Sequence, residues 1–205
     1  MEIIYRKALE KDVGTILSFI KALAKYEHME NDVVATEKLL TEWIFEKGKA
    51  NVIIAEEDGA PAGFALYFYN FSTFLGRAGI YLEDLFVKPE FRGRGYGKGL
   101  ITRLAEIALE EGCGRLEWSC LDWNTPSIEF YKSIGAVAMD EWTVHRMTVP
   151  EMKKLCGKRY YKKTAAIKTA VFLFFVELFY VSYPMSVIAL LSYWKPPLDA
   201  FPTDS

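Results

Sequence analysis

Two hydrophobic periods alternate along the chain, and the switches between them divide it into elements. Ile3, Ile4 and Tyr5 form a short apolar run that reads as a strand. Apolar residues then recur every three or four positions, at Val13, Ile16, Leu17, Ile20, Leu23 and Ala24, which places them on one face of a helix. A second helix is expected over residues 36–46. Residues 51–56 and 62–70 are apolar and aromatic runs joined by a segment in which Asp58-Gly59 and Pro61 supply hairpin-turn chemistry. Residues 78–87 read as another strand, interrupted by the acidic pair Glu83 and Asp84. On a regular strand those two carboxylates point to opposite sides, and only a bulge would relax that rule.

Past a glycine-rich loop, residues 97–111 carry Leu100, Ile101, Leu104, Ile107 and Ala108 on one helical face. A strand is expected over 115–121. A helix follows over 124–134, capped by Asn124, with Pro126 in its first turn and Gly135 at its end. A last strand is placed at 143–147. The order β-α-α-β-β-β-α-β-α-β predicts an α/β domain with a mixed sheet, because hairpin-linked strands pair antiparallel and strand-helix-strand crossovers pair parallel.

The pattern changes abruptly near residue 158, so residues 1–158 are read as one domain and 159–205 as a basic, then apolar, C-terminal extension. In the run 169–194 Glu177 is the only ionisable carboxylate, and there is no Lys or Arg. As a helix it is long enough to span a hydrocarbon core, with a kink at Pro184. Lys153, Lys158, Arg159 and Lys168 are among the basic residues that precede it, so the positive-inside rule would leave the domain in the cytoplasm and anchored to the membrane. An appended sequence without a selected role and a helix packed on the domain or a partner subunit remain the alternatives.

Composition narrows the classes. With 51% hydrophobic and 25% charged residues in 205, the chain is globular, which excludes disorder, collagen and a disulfide scaffold. A net charge of -2 offers no basic face for nucleic acid. Cys113, Cys120 and Cys156 lack paired CxxC spacing and only His28 and His145 accompany them, which points to a reducing compartment and to no metal site. The first residues carry no secretory pattern, so a cytoplasmic protein is expected.

The candidate chemistry starts in the loop. Pro89 ends a strand, and Gly93, Gly95, Gly97 and Gly99 let successive amides converge at the start of the next helix, a nest for phosphate oxygens. A dinucleotide fingerprint would need Gly at Lys98 or Leu100, and a P-loop would need Gly at Arg92 and Ser or Thr at Gly99, so neither fits. What fits is Arg-x-x-Gly-x-Gly from Arg92 to Gly97. This motif resembles the pyrophosphate loop of the GNAT acetyltransferases, which bind acetyl-CoA. Tyr-Leu-Glu-Asp-Leu-Phe-Val-Lys-Pro-Glu-Phe-Arg-Gly-Arg-Gly-Tyr-Gly, then Leu-Asp-Trp-Asn-Thr-Pro-Ser-Ile-Glu-Phe-Tyr-Lys-Ser-Ile-Gly-Ala, and Ala-Lys-Tyr-Glu-His-Met-Glu nearer the start together resemble the spermidine/spermine and thialysine branch of that family. The likeness covers about residues 1–157 and implies a mixed, mostly antiparallel central sheet flanked by helices, and a homodimer.

Transfer of an acetyl group from a thioester to an amine poses two proton problems, since the ammonium must lose a proton and the departing thiolate must gain one. Glu83, in an otherwise apolar strand leading into the loop, is a candidate for the first task, although a surface salt bridge would explain the same residue. The resemblance implies that it contacts the amine and relays its proton. Tyr131 reads as a core aromatic from its flanks, and the resemblance implies that it protonates the coenzyme sulfur. The same likeness implies coenzyme contacts from the backbone of Leu85, Phe86 and Val87, from Gly93, Arg94, Gly95, Tyr96, Gly97 and Lys98, and from Asn124, Thr125, Pro126 and Ser127. Arg92 either stabilises the loop or meets phosphate. Cys120 alternates with Leu116 and Trp118 as a packed strand residue would, and no histidine lies near it in sequence to activate it as a nucleophile.

Tyr26 and Glu27 match family positions that touch the substrate, and Glu27 with Glu83 would suit a molecule carrying two positive charges. The segment Asn-Phe-Ser-Thr-Phe-Leu-Gly-Arg-Ala-Gly before the Glu83 strand has no acidic residue, where polyamine enzymes carry one. That departure favours lysine-like amino acids of the thialysine type, with diamines and polyamines as related acceptors. A protein N-terminal acetyltransferase and a catalytically inactive acetyl-CoA-binding regulatory domain are the alternatives.

Overall fold

In the computed structural model, which describes residues 2–182, five strands lie in chain order across one sheet. β1 (Ile3–Lys7), β2 (Asn51–Glu57), β3 (Ala60–Ser72) and β4 (Arg77–Val87) each pair antiparallel with the next. β5 (Leu116–Trp118) joins β4 in parallel. A parallel neighbour needs a crossover, and it is supplied by α3 (Tyr96–Glu110). The chain divides into two units, one ending at Val137 and carrying the sheet, the other beginning at Ala138.

Successive residues of a strand point to opposite sides, which sorts the apolar runs of the sheet into two faces. Ile16 and Phe19 of α1 (Val13–Tyr26) pack with Val52, Ile54, Phe64 and Phe86 on one. Leu100, Leu104 and Ile107 of α3 pack with Ile53, Ala65, Ile80 and Leu82 on the other. α2 (Glu37–Leu40) starts where Thr36 Oγ1 accepts the Leu39 amide at 3.2 Å, and runs into a wider π-type turn over Thr41–Glu46.

At the edge of the sheet Arg6 of β1 joins two carboxylates. Its guanidinium donates both to Asp12, at 2.7 and 2.9 Å, and to Glu56 of β2, at 2.6 and 2.9 Å. The hydrogen bonds to Arg6 hold the Asp12 carboxyl below its ordinary range. A depressed acid stabilises the fold above its unfolded pKa and loses that contribution as pH falls through the folded one. Asp12→Asn is therefore expected to cost about 2 kcal/mol in urea unfolding at neutral pH. The difference from wild type should close as the acidic range is entered. Equal stability at neutral pH would contradict the cluster.

Three local expectations differ from the structure. The strand placed at 115–121 forms a ladder only over Leu116–Trp118. The strand placed at 143–147 forms no ladder, and Trp142, Val144 and Met147 are exposed. A residue run is a local signal, whereas a strand exists only where a neighbour accepts its backbone. The third is the opposed placement of Glu83 and Asp84, which a bulge in β4 replaces. The first unit also holds α4 (Thr125–Ser133), and the second holds α5 (Val149–Ser182), a helix interrupted at Gly157, whose φ is 55°. Among the described residues no helix is long and apolar enough to cross a membrane, and the latter part of the 169–194 run lies outside them.

Candidate active site

The loop between β4 and α3 is shaped by two glycines. Gly93 and Gly95 have φ of 72° and 87°, in the left-handed region, and a Cβ on either would meet nothing within 4 Å. Backbone conformation, not crowding, requires glycine there, and the space beside the amides is open to a ligand. Gly99 has the other reason, because the Tyr5 ring of β1 occupies the place a Cβ would take. Gly95 caps α3 without a side chain to accept the first amides. The amides of Tyr96, Gly97 and Lys98 therefore have no partner within the helix, whose first bond runs from the Gly99 amide to Gly95 O at 2.9 Å. An uncapped start of a fifteen-residue helix behind a turn of glycines is a seat for an anion such as a pyrophosphate.

The side chains of the loop are largely committed to the protein. Arg92 Nε donates to Val87 O at 3.0 Å, and its guanidinium lies over the rings of Tyr26, at 4.9 Å, and Phe86, at 5.7 Å. Arg94 pairs with Glu57 at 2.6 Å. Tyr96 is buried, with its hydroxyl bonded to the same Glu57. Of the loop residues expected to hold the coenzyme, Arg92, Arg94 and Tyr96 thus brace the turn with their side chains and leave their backbone for the ligand. Lys98 and Gly95 line a pocket of about 330 Å³ with Tyr5, Gly99, Thr102, Arg103 and Glu106.

Strands β4 and β5 stop pairing at Leu82 opposite Trp118. Beyond that point Leu85, Phe86 and Val87 keep β3 on one side, with Leu85 opposite Ala65 and Phe86 opposite Phe64. On the other they have no ladder partner among the described residues. An extended chain carrying amides fits such a gap as an added strand. The start of α4 is tied to α1 through the buried Asn124, which accepts the Ser127 amide at 3.4 Å and the Tyr26 hydroxyl at 3.0 Å. Of the four residues expected at this helix start, Asn124 is the one bonded to Tyr26, and Thr125, Pro126 and Ser127 follow it in the first turn. Trp123 adds a ring 6.0 Å from Tyr26 and 6.1 Å from His28.

The carboxylates owe their arrangement to a bulge. Leu66 faces Asp84 while Tyr67 faces Leu82, so Glu83 is an extra residue with no partner on β3. Ile80 and Leu82 belong to the α3 side of the sheet, and Phe86 belongs to the α1 side. A parity that changes between positions 82 and 86 brings Glu83 and Asp84 to one side, correcting the opposed placement expected of a regular strand. Glu83 is exposed and Asp84 half-buried. Burial first, then the charges of Glu83 and Glu27, push the Asp84 carboxyl up to about 6. Burial also raises Glu27, at the end of α1.

Tyr131 sits on α4 with its ring 5.1 Å from Trp118 and 5.4 Å from Phe130. Its phenol is pushed up to about 12 by burial, and then by Cys120, Glu27 and Tyr26. It holds its proton at neutral pH. Cys120 lies just past β5, and burial, Glu27 and Asp122 all raise its thiol, which disfavours the thiolate a nucleophile would need. Glu27 links the expected site residues, acting with Tyr26 on Tyr131 and with Glu83 on Asp84. Asp84 was not singled out for chemistry from the sequence. The signal was present in the spacing of apolar residues, which shifts from Ile80 and Leu82 to Leu85 and Val87. Among the described residues no group of three His, Cys, Asp or Glu is placed to hold a metal.

Comparison with known proteins places these features in a wider setting. Residues 17–136 match the Acetyltransferase (GNAT) family. A thialysine N-epsilon-acetyltransferase of Bos taurus is 38% identical over 168 residues, covering 76% of this chain and 98% of that protein. An L-ornithine N5-acetyltransferase of Arabidopsis thaliana is 43% identical over 91 residues, covering 44% of this chain and 40% of that protein. Among solved structures, an integron cassette protein of V. cholerae superposes with a TM-score of 0.64 at 31% identity, over 76% of this chain and 98% of that one.

Proposed function

This chain belongs to the acetyltransferase (GNAT) family, and we propose that it moves an acetyl group directly from acetyl-CoA to a primary amine of a small lysine-like amino acid of the thialysine type, a diamine or a polyamine. It is an acyltransferase that acts on amines. The observation that carries the coenzyme assignment is the uncapped start of α3 behind Gly93 and Gly95, next to a strand, Leu85 to Val87, whose outer side is unpaired. Pyrophosphate would sit on the amides of Tyr96, Gly97 and Lys98, and the extended arm would follow β4 toward the bulge.

Within that arrangement Tyr131 protonates the leaving sulfur. The burial that keeps its phenol neutral penalises a thiolate in the same surroundings, so the proton passes between two groups disfavoured alike. Glu83 meets the amine and relays its proton. Glu27 and Tyr26 line the acceptor side, where several carboxylates favour a substrate with a second ammonium group. The relatives that act on thialysine and on ornithine support a lysine-like amino acid over a long polyamine.

A panel of free amino acids, diamines, polyamines and short peptides, followed by release of coenzyme A, tests the assignment. Lysine-like amino acids are expected to be acetylated at the side-chain amine with the highest kcat/KM. Acetylation of peptide N-termini alone would make the chain a protein N-terminal acetyltransferase. Binding of acetyl-CoA without turnover on any amine would make it a regulatory coenzyme-binding domain. A homodimer completes the proposal, and a monomer by light scattering at micromolar concentration would overturn that part.

A further inference from the structure

The bulge in β4 gives the acceptor side more than one carboxylate, and they differ in setting. Glu83, the unpaired residue, is exposed, whereas Asp84 next to it is half-buried on the same side of the strand, opposite Leu66. The groups around Asp84 are anionic or neutral. Glu83 stands beside it on β4, and Glu27 acts on it from the end of α1. Glu27 also raises Tyr131 of α4 and the Cys120 thiol past β5 through its charge. No cation is among the groups that shift Asp84, and Arg92 is spread over Phe86 and Tyr26 and bonded to Val87 O.

The geometry points to Asp84 as the place where the acceptor's proton comes to rest, with Glu83 passing it inward from the amine and later outward to solvent. This rests on the acetyl-transfer reading given above and adds the residue that sets its pH dependence. A base works best when its pKa lies near the operating pH, and a carboxyl raised to about 6 is closer to that optimum than a solvated one. It is ionised at neutral pH and so ready to accept, yet it holds a proton more firmly than an ordinary aspartate.

The ammonium gives one proton through Glu83 to Asp84, which leaves a free amine to attack the thioester carbon. As the N–C bond forms and the C–S bond breaks, the sulfur takes the phenolic proton of Tyr131. The second proton leaving the nitrogen restores that phenol. Asp84 then returns its proton to water by way of Glu83. One ammonium and one thioester become one amide, one thiol and one released proton.

The test is the pH profile of kcat/KM for the full chain with acetyl-CoA and a lysine-like amine, compared among wild type, Asp84→Asn and Glu83→Gln. Wild type is expected to show an acidic limb with an apparent pKa near 6, set by the coupled carboxylates. Asp84→Asn should lose that limb and fall on the order of 10²-fold at neutral pH, recovering as the pH approaches that of the free amine. Glu83→Gln should be slower but keep the limb. A limb that survives in Asp84→Asn, or one that disappears only in Glu83→Gln, overturns the assignment. Absence of any acetylated amine from wild type refutes the activity itself, and that outcome is distinct because no profile exists to compare.

Folding does not confound the variant. The folded chain holds the Asp84 proton more tightly than the unfolded chain, so its ionised form costs stability once the pH rises past both values. Asp84→Asn should melt no lower than wild type at neutral pH. Carboxyl-selective carbon-13 titration of the wild type gives a second reading that needs no variant. A midpoint for Asp84 near 6 is expected, and one in the ordinary aspartate range contradicts the proposal.

Discussion

Replacement of Tyr131 by phenylalanine is expected to lower kcat on the order of 10²-fold while leaving the affinity for acetyl-CoA close to wild type. The substitution keeps the ring that packs on Trp118 and Phe130 and removes only the hydroxyl. The loss should therefore fall on the step in which the thiolate leaves. A Trp118-facing ring that merely filled the core would tolerate the change, and turnover on the preferred amine would be unaltered. Stopped-flow release of coenzyme A separates the two outcomes. A normal rate removes Tyr131 from the proton chemistry and leaves it a packing residue.

The second large effect is expected at Gly95. Its φ of 87° suits glycine, and its position as the cap of α3 puts it beside the amides that would hold pyrophosphate. Valine there must either distort the turn or adopt a conformation costing about 1–3 kcal/mol, and its branched side chain would project into the space a phosphate needs. Gly95→Val is expected to weaken acetyl-CoA binding by at least an order of magnitude, measured by calorimetry on a variant whose circular dichroism matches wild type. Unchanged affinity would move the anion seat elsewhere. Gly99→Val would not make the same point, since Tyr5 already fills that side and the variant would disturb the packing of α3 on β1.

Much of this arrangement is written locally in the chain. The stripe from Val13 to Ala24, the Asp58-Gly59 hairpin, the glycine loop and the Asn124 cap with Pro126 behind it are short-range signals, and each has its element in the fold. The bulge was legible too, though only as a change in apolar parity between Leu82 and Leu85. Other features depend on partners far away in the sequence. Arg94 and Tyr96 both turn to Glu57 on β2, so a loop motif that names them as coenzyme residues does not reveal that their side chains brace the turn. Tyr26 reaches Asn124 across 98 positions. The short run at 143–147 was placed as a strand from local residues alone, and it lacks the neighbour that a local run cannot supply.

Cys120 and Tyr131 mark where the chemistry could have been misassigned. A thiol close to the acceptor carboxylates invites a covalent acetyl intermediate, yet its surroundings raise its pKa and work against the thiolate. Direct transfer, as proposed, needs no such intermediate, since the amine itself would attack the thioester.

A single-turnover experiment with acetyl-labelled coenzyme A and the full chain tests that claim most directly. With a lysine-like amine present, the label is predicted to pass to the side-chain nitrogen, with one coenzyme A freed per amide formed and no labelled protein at any time by intact mass. Label held on the protein before the amine is added, or lost as free acetate with the amine unmodified, would contradict direct acetyl transfer by this site.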